Sequence, residues 1–214
     1  MKRCKICQSS TYSIEDPKKP LRYYRCQGCG FIALDASCVV DADTEKKHYE
    51  KHNNGFDSKG YVAMFETFIQ VAIAPYEASI QTVLEFGCGH GPVLPTLLAN
   101  RGMEVDKYDL YFYPKKVYKD KQYDLIVSTE VFEHLQDPLE ILSLLSQHTV
   151  TNGYIILMTK FPPADDDAFL AWWYRRDITH ISFFTPKSFE IMAMKLGLKV
   201  LKFIDDNIVI FQKC

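Results

Sequence analysis

Residues 83–91 read Val83-Leu84-Glu85-Phe86-Gly87-Cys88-Gly89-His90-Gly91, and a second apolar run ends at Asp109. Four residues from an apolar run lead directly into three glycines at alternate positions. This is the pattern of a buried strand running into a tight turn and then a helix, the unit from which α/β sheets hold nucleoside-bearing ligands at their carboxyl edge. Glycine admits positive φ and brings the backbone close to a neighbour that a Cβ would block. Asp109 lies 22 residues after Gly87, where a carboxylate can accept hydrogen bonds from ribose hydroxyls.

The turn discriminates between ligands. A triphosphate loop ends in Gly-Lys-Ser/Thr, but here Gly91 is followed by Pro92 and Val93. A dinucleotide turn is spaced G-x-G-x-x-G and keeps a helix N-terminus for pyrophosphate. Here the spacing is G-x-G-x-G, and Glu85 stands two residues before the first glycine. A carboxylate there repels pyrophosphate and suits a cationic ligand end. S-adenosylmethionine has a ribose, an ammonium and a sulfonium, and no phosphate.

With Asp109 and the later run Tyr123-Asp-Leu-Ile-Val-Ser-Thr-Glu-Val-Phe-Glu-His134-Leu135, the chain resembles class I S-adenosylmethionine-dependent methyltransferases. It is similar to the branch that includes ubiquinone-biosynthesis O-methyltransferases. It is also similar to small bacterial methyltransferase-like proteins that carry a His-Asn-Asn…Gly-Tyr element (52–61) and a Trp-Tyr-Arg-Arg-Asp-x-Thr-His element (173–180). The resemblance covers about residues 48–214 and speaks to the cofactor, not the acceptor. It implies cofactor contacts from Glu85, Gly87, Cys88, Gly89, Gly91, Asp109, Leu110, Thr129, Glu130 and Val131.

The expected fold is α/β and Rossmann-like: a mainly parallel, doubly wound sheet closed by an antiparallel hairpin at 198–204 and 208–212. Strands are expected at 82–86, 104–110, 123–128 and 153–159, and helices at 59–73, 93–100, 138–148 and 186–196. Pro92 is expected to open the second of these helices. Only 12 residues, Tyr111 to Gln122, separate the second strand from the third. A parallel crossover needs about a dozen residues by itself, so one βα unit is expected to be truncated. Phe112 or Tyr113 is then left to cover an adenine face, or simply to pack the sheet edge.

The first 35 residues hold Cys4-x-x-Cys7 and Cys26-x-x-Cys29, separated by 18 residues. Two such pairs can place four thiolates around one structural zinc, with Gly30 allowing the turn after the second pair. The expected organisation is a zinc ribbon at 1–35, a linker or lid at 36–57 and the catalytic domain at 58–214. In the lid, His48, Tyr49, His52 and Asn53 stand close to the fold. Cys38, outside the pattern, is expected to be a buried thiol.

Chemistry is expected around 128–134, at the carboxyl end of a central strand. His134 suits a general base near neutral pH, or else caps or packs against the next helix; the matching histidine recurs in the O-methyltransferases it resembles, and Glu133 either orients it or is a solvated helix-start acid. Asn/Asp-Pro-Pro-Tyr, used for amide nitrogens in similar enzymes, is absent, and no cysteine is placed there as a pyrimidine nucleophile. Trp172-Trp173-Tyr174-Arg175-Arg176-Asp177-Ile178-Thr179-His180 packs aromatics and charges into nine residues. Asp177 and His180 can pair to hold a hydroxyl, with the tryptophans as walls and Arg175 or Arg176 as an anion contact. The rival role for this segment is a structural brace. Asp165-Asp166-Asp167 is expected to start a helix.

Partners follow from composition. The net charge of −2 over 214 residues gives no global case for nucleic acid or membrane. Residues 1–29, however, carry seven Lys or Arg against two acids, so an RNA acceptor is kept as the alternative to a small molecule. A non-catalytic, cofactor-binding subunit is the third possibility. No apolar stretch reaches membrane-spanning length, and no apolar signal region follows the first charges, so the cytoplasm is expected.

Overall fold

The computed structural model describes residues 2–51 and 55–214, so His52 and Asn53 lie outside the described residues. Among the described residues, ten strands and six α-helices follow the chain order β1 (Thr11–Glu15), β2 (Arg22–Cys26), β3 (Ile32–Leu34), α1 (Ala42–Tyr49), α2 (Lys59–Phe68), β4 (Thr82–Phe86), α3 (Val93–Ala99), β5 (Glu104–Tyr108), β6 (Tyr123–Thr129), α4 (Pro138–Gln147), β7 (Thr149–Met158), α5 (Asp166–Ala171), β8 (Ser182–Phe183), α6 (Pro186–Leu196), β9 (Leu198–Ile204) and β10 (Ile208–Lys213). The large sheet has the order β5-β4-β6-β7-β10-β9. Its first four strands are parallel, and β10 runs antiparallel to both β7 and β9. This is the expected α/β class.

The central strands are apolar on both faces because both faces are covered. Val83, Leu125 and Val127 join a core with Phe65 and Phe68 of α2 and Leu94 and Leu98 of α3. Leu84, Phe86 and Ile126 point the other way, toward Leu142 and Leu145 of α4 and Phe189 and Met192 of α6. The two-residue period of the strands sorts these sets. Helix α6 carries its stop and start signals in full: Thr185 accepts from the Ser188 amide, Pro186 opens the helix, and Gly197 closes it at φ 65°.

The truncation is present. Between β5 and β6 the chain makes no further strand of the large sheet, only a turn in which Asp109 and Tyr113 bridge each other. Some boundaries differ. Pro92 caps α3 from outside, with helix starting at Val93. The helix expected over 59–73 keeps α geometry only to Phe68; residues 69–73 widen to a π turn and 74–79, with Pro75, tighten to 3-10. Residues 36–57 are not all irregular, since they hold α1, capped by the Asp41 carboxylate on the Thr44 amide at 2.8 Å.

A smaller sheet, β1-β2-β3-β8, joins the first three strands to the segment just before α6. Ser182 and Phe183 pair with β3, and the Thr185 hydroxyl donates to the Cys29 carbonyl at 2.6 Å. Cys4, Ile6, Cys26, Cys29 and Phe31 share one core with Phe184 and Phe189. Cys38 is half-buried instead of buried, its Sγ 3.6 Å from the Pro20 carbonyl oxygen.

Candidate functional site

A cavity of about 820 Å³ opens at the carboxyl edge of β4, β5 and β6. That is the edge on which open α/β sheets hold ligands. The volume suits a nucleoside-sized molecule together with a second small one, since ligand sites run to about 300–1,000 Å³.

The glycine turn forms one wall. Gly87 has φ 80° and Gly89 φ 60°. A Cβ on Gly87 would sit 2.3 Å from Val131 Cγ2, so this glycine is needed for packing against the next loop as well as for its dihedral. The Gly87 and Cys88 amides both donate to the Tyr108 carbonyl, at 2.7 and 3.2 Å. Asp109 fixes the turn from the neighbouring strand. Its Oδ2 accepts from the Gly89 amide at 2.9 Å, and its Oδ1 from the Tyr111 and Phe112 amides at 2.8 and 3.0 Å. Leu110 stands 65% exposed at the rim. Phe112 faces the cavity, whereas Tyr113 lies under the Lys107 ammonium at 4.3 Å. Gly91 is buried in the turn, two residues before α3 begins.

Glu85 is 3% exposed, and its Oε2 has no hydrogen-bond partner among the described residues. Burial raises its carboxyl to about 8; Lys107 pulls it down less and the Asp109 charge adds to the rise. Cys88 is pushed up for the same reasons: burial first, then the charges of Glu85 and Asp109.

Thr129, Glu130 and Val131 follow the end of β6. Glu130 takes φ 54°, an uncommon conformation for a side-chain-bearing residue, held by its amide donating to Met158 at 2.8 Å. Burial and the Glu133 carboxyl keep Glu130 well above the usual carboxylate range. Glu133 is fully buried, not a solvated helix-start acid. The Tyr174 hydroxyl lies 2.6 Å from Glu133 Oε1 and 2.9 Å from Glu130 Oε2, tying the two carboxyls together.

His134 Nδ1 lies 3.0 Å from the Thr179 carbonyl, and His180 Nδ1 lies 2.7 Å from the Tyr174 carbonyl. A carbonyl only accepts, so in the neutral rings Nδ1 carries the proton and Nε2 is the acceptor. Burial, then the proximity of His134, lowers His180 to about 3.

The expected Asp177–His180 pair is not made. Asp177 Oδ1 accepts from the Thr179 amide and hydroxyl, at 2.9 and 2.6 Å, and its Oδ2 meets His48 Nε2 at 2.9 Å. Burial pushes Asp177 up, but these Thr179 and His48 contacts outweigh it and hold the carboxylate below its usual range. The partner of Asp177 is therefore on α1. Tyr111 also joins α1 to the rim, its hydroxyl donating to Glu45 at 2.7 Å, and Tyr49 donates to the same carboxylate from within the helix at 2.7 Å. Glu45 and Tyr111 were missed from sequence; the capping Asp41 and the basic last turn of α1 were the available signals.

The tryptophan-arginine segment divides by direction. Trp173 and Arg176 face the cavity. Trp172 packs on Tyr174 and Phe183, and Arg175 is buried against Tyr23, Phe169 and Asp16. Arg175 thus makes no anion site.

The four cysteines converge. Cys4 and Cys29 sulfurs are 3.7 Å apart, those of Cys7 and Cys26 3.3 Å, and all four lie within 4.8 Å. The Ile6, Gly28 and Cys29 amides approach the sulfurs at 3.3–3.4 Å. Gly30, at φ 76°, turns the chain after Cys29.

Comparison with solved structures gives the same fold at low identity. The mitomycin 7-O-methyltransferase MmcR aligns with TM-score 0.56 and 14% identity over 81% of this chain and 58% of that one. PigF with SAH aligns with TM-score 0.54 and 12% identity over 81% of this chain and 60% of that one. DesVI from Streptomyces venezuelae aligns with TM-score 0.52 and 11% identity over 82% of this chain and 100% of that one. The chain thus spans less than two thirds of the first and second of these structures. No curated protein matches it. A family model described as a methyltransferase domain matches residues 56–202, which contain the glycine turn, Asp109 and the 128–134 segment; the chain belongs to this methyltransferase domain family.

Proposed function

We propose that the chain transfers a methyl group from S-adenosylmethionine to an oxygen of a small-molecule acceptor. The observation that supports this most is Glu85, a buried carboxyl group whose Oε2 has no hydrogen-bond partner among the described residues, beside a turn unsuited to phosphate. Burial of a lone carboxylate costs several kcal/mol unless a cation meets it. An ammonium supplies that cation. In this reading Asp109 accepts from the ribose, and Gly87, Cys88, Gly89 and Gly91 shape the turn beneath it. Leu110 covers the adenine side, and Thr129, Glu130 and Val131 bound the sulfonium end. The cofactor brings the activated methyl. The chain's residues align the acceptor, exclude water and take its proton. His134 Nε2 is the proton acceptor, with His180 and Asp177 holding the surrounding loop, while Trp173 and Arg176 line the acceptor side.

Isothermal titration with S-adenosylhomocysteine tests the first step. Binding in the micromolar range is expected, and silence at millimolar ligand would reject the reading. For turnover, a panel of hydroxylated acceptors should give methylation that His134→Ala lowers by about 100-fold, within the range of general base catalysis. A chain that binds the cofactor and methylates nothing in such a panel is the non-catalytic subunit.

The N-terminal cysteines fit zinc. Four sulfurs at about 2.3 Å from one ion stand about 3.7–3.8 Å apart in a tetrahedron, near the 3.7 Å and 3.3 Å separations of this cluster. The ribbon then takes its stability from the ion. One zinc per chain is expected by elemental analysis, with loss of the ion and of β1–β3 amide protection in Cys26→Ser. A metal-free protein with the same protection would remove the zinc. The basic charge near it gives RNA little support. Five of the seven cations are engaged within the protein: Lys2 with Asp35, Arg3 with Gln8, Lys5 with Gln136, Arg22 with Glu15 and Arg25 with Asp166.

A further inference from the structure

We infer that the cysteine ribbon is the mount of the acceptor half of the cavity: an ion held by Cys4, Cys7, Cys26 and Cys29 fixes β3, β3 fixes β8, and β8 holds His134 and His180 in place. This role rests on the zinc and methyl-transfer readings. It gives the ribbon a task inside the site instead of a partner outside it.

Strand β8 is two residues long, Ser182 and Phe183. A strand that short makes too few bonds to stand by itself. Its support comes from both sides. Toward the ribbon, Phe183 and Ser182 pair with Ile32 and Ala33, and the Leu34 amide donates to the Ile181 carbonyl at 2.8 Å. Toward the cavity, the Ile181 amide donates to the Glu133 carbonyl at 2.8 Å, and the Ser182 hydroxyl to the Leu135 carbonyl at 2.7 Å. The turn that carries His134 is therefore stitched to this strand on both flanks of the histidine. His134 Nδ1 meets the Thr179 carbonyl, and His180 directly precedes Ile181. Both imidazoles line the cavity, and both take their positions from the segment that β3 holds. Just beyond β8, the Thr185 hydroxyl reaches the carbonyl of Cys29, one of the four cysteines.

Two more tethers run the same way. Arg175, between Trp173 and Arg176 in the cavity wall, is buried against Tyr23 of β2 and lies 2.8 Å from Asp16, the residue after β1. Arg25 of β2 meets Asp166 of α5 at 2.7 Å and the Pro163 carbonyl at 3.2 Å. The cofactor half is built otherwise. Among the described residues, no hydrogen bond or ion pair joins 2–35 to the strands and glycine turn of 82–112. That half stands on the core of α2, α3 and the central strands, which contains no ribbon residue. Modules as small as the ribbon depend on their ion to fold. Loss of the ion should therefore loosen one half of the cavity and spare the other.

The two tryptophans of the chain, Trp172 and Trp173, both stand in the tethered wall, so tryptophan emission reports on that wall. The test takes the full chain, zinc-loaded and then stripped by a chelator, and follows emission, hydrogen exchange and titration with S-adenosylhomocysteine. Zinc loss should move the emission to longer wavelength and speed exchange at 174–183 by at least ~10-fold, as a local opening does. Exchange at 83–91 and the affinity for S-adenosylhomocysteine should not change, and added Zn²⁺ should reverse the other effects. Asp16→Asn lies at the far end of the β1–β2 hairpin from Cys26. It should keep the zinc and the S-adenosylhomocysteine affinity, yet shift the emission and speed exchange at 174–176. Should the stripped chain unfold throughout, Asp16→Asn decides alone. The mount is overturned by a chain that holds no zinc, by unchanged emission and exchange at 174–183 after stripping, or by a stripped chain, still folded, that loses protection at 83–91 equally. Silence of the zinc-loaded chain toward S-adenosylhomocysteine rejects the methyl-transfer reading instead, and the contrast in exchange between 174–183 and 83–91 then measures the mount.

Discussion

Replacing Arg175 by methionine should cost about 3–5 kcal/mol of stability, the usual range when one partner of a buried ion pair is removed. For a chain of this length that is a fall in Tm of about 10 °C. The guanidinium sits 2.8 Å from Asp16 Oδ2, with the two side chains 7% and 3% exposed. It also donates to the Phe169 and Leu170 carbonyls, and to the Tyr23 hydroxyl. Burial pushes Asp16 up, but the Lys18 amide and Arg175 hold it below the usual carboxylate range, so it stays charged. Without Arg175 that charge is stranded. The double variant Asp16→Asn, Arg175→Met should therefore recover part of the loss. Arg176→Ala, next in sequence but exposed to the cavity, should change stability by under about 0.5 kcal/mol. Equal Tm values for Arg175→Met and Arg176→Ala, by thermal denaturation, would show that the segment is no brace.

That contrast marks the limit of what the sequence could disclose. Periodicity placed the large sheet, because its central strands are apolar on both faces and α6 carries a capping threonine, an opening proline and a closing glycine. The glycine turn and Asp109 were legible because their spacing is local. The division of 172–176 into inward and outward residues was not, because it depends on β8 crossing to β3, and a two-residue strand leaves no pattern. The Asp177 partner was missed for a similar reason. His48 and Asp177 are 129 positions apart, and only the folding back of α1 joins them. Helix α1 has no buried residue, so no apolar stripe announced it. Glu133 left two readings open, orienting His134 or standing as a solvated helix-start acid, and its full burial excludes the second.

Glu85 should make both stability and cofactor affinity depend on pH, in opposite senses. In the empty protein its carboxyl titrates near 8, while in the unfolded chain it titrates in the ordinary range near 4.5. Between these values the native state binds the extra proton. Stability therefore falls as pH rises through that window. Glu85→Gln removes the titration and should flatten this part of the Tm profile. Binding runs the other way. An ammonium is held by the carboxylate and not by the neutral acid, so a proton must leave as the ligand enters. Affinity for S-adenosylhomocysteine should rise about tenfold from pH 6 to 7, as expected for one group titrating near 8. It should then turn over near pH 8, where a ligand α-amino group of pKa about 8 loses its own proton. Calorimetry in two buffers of different ionisation enthalpy should show close to one proton released per ligand at pH 6.5. Glu85→Gln should weaken binding by about 10–100-fold, the effect of losing a charged hydrogen-bond partner, and should abolish the proton release. Affinity independent of pH from 6 to 8 in the unaltered chain would mean that the ammonium is held elsewhere, and that the charge of Glu85 does not choose the ligand.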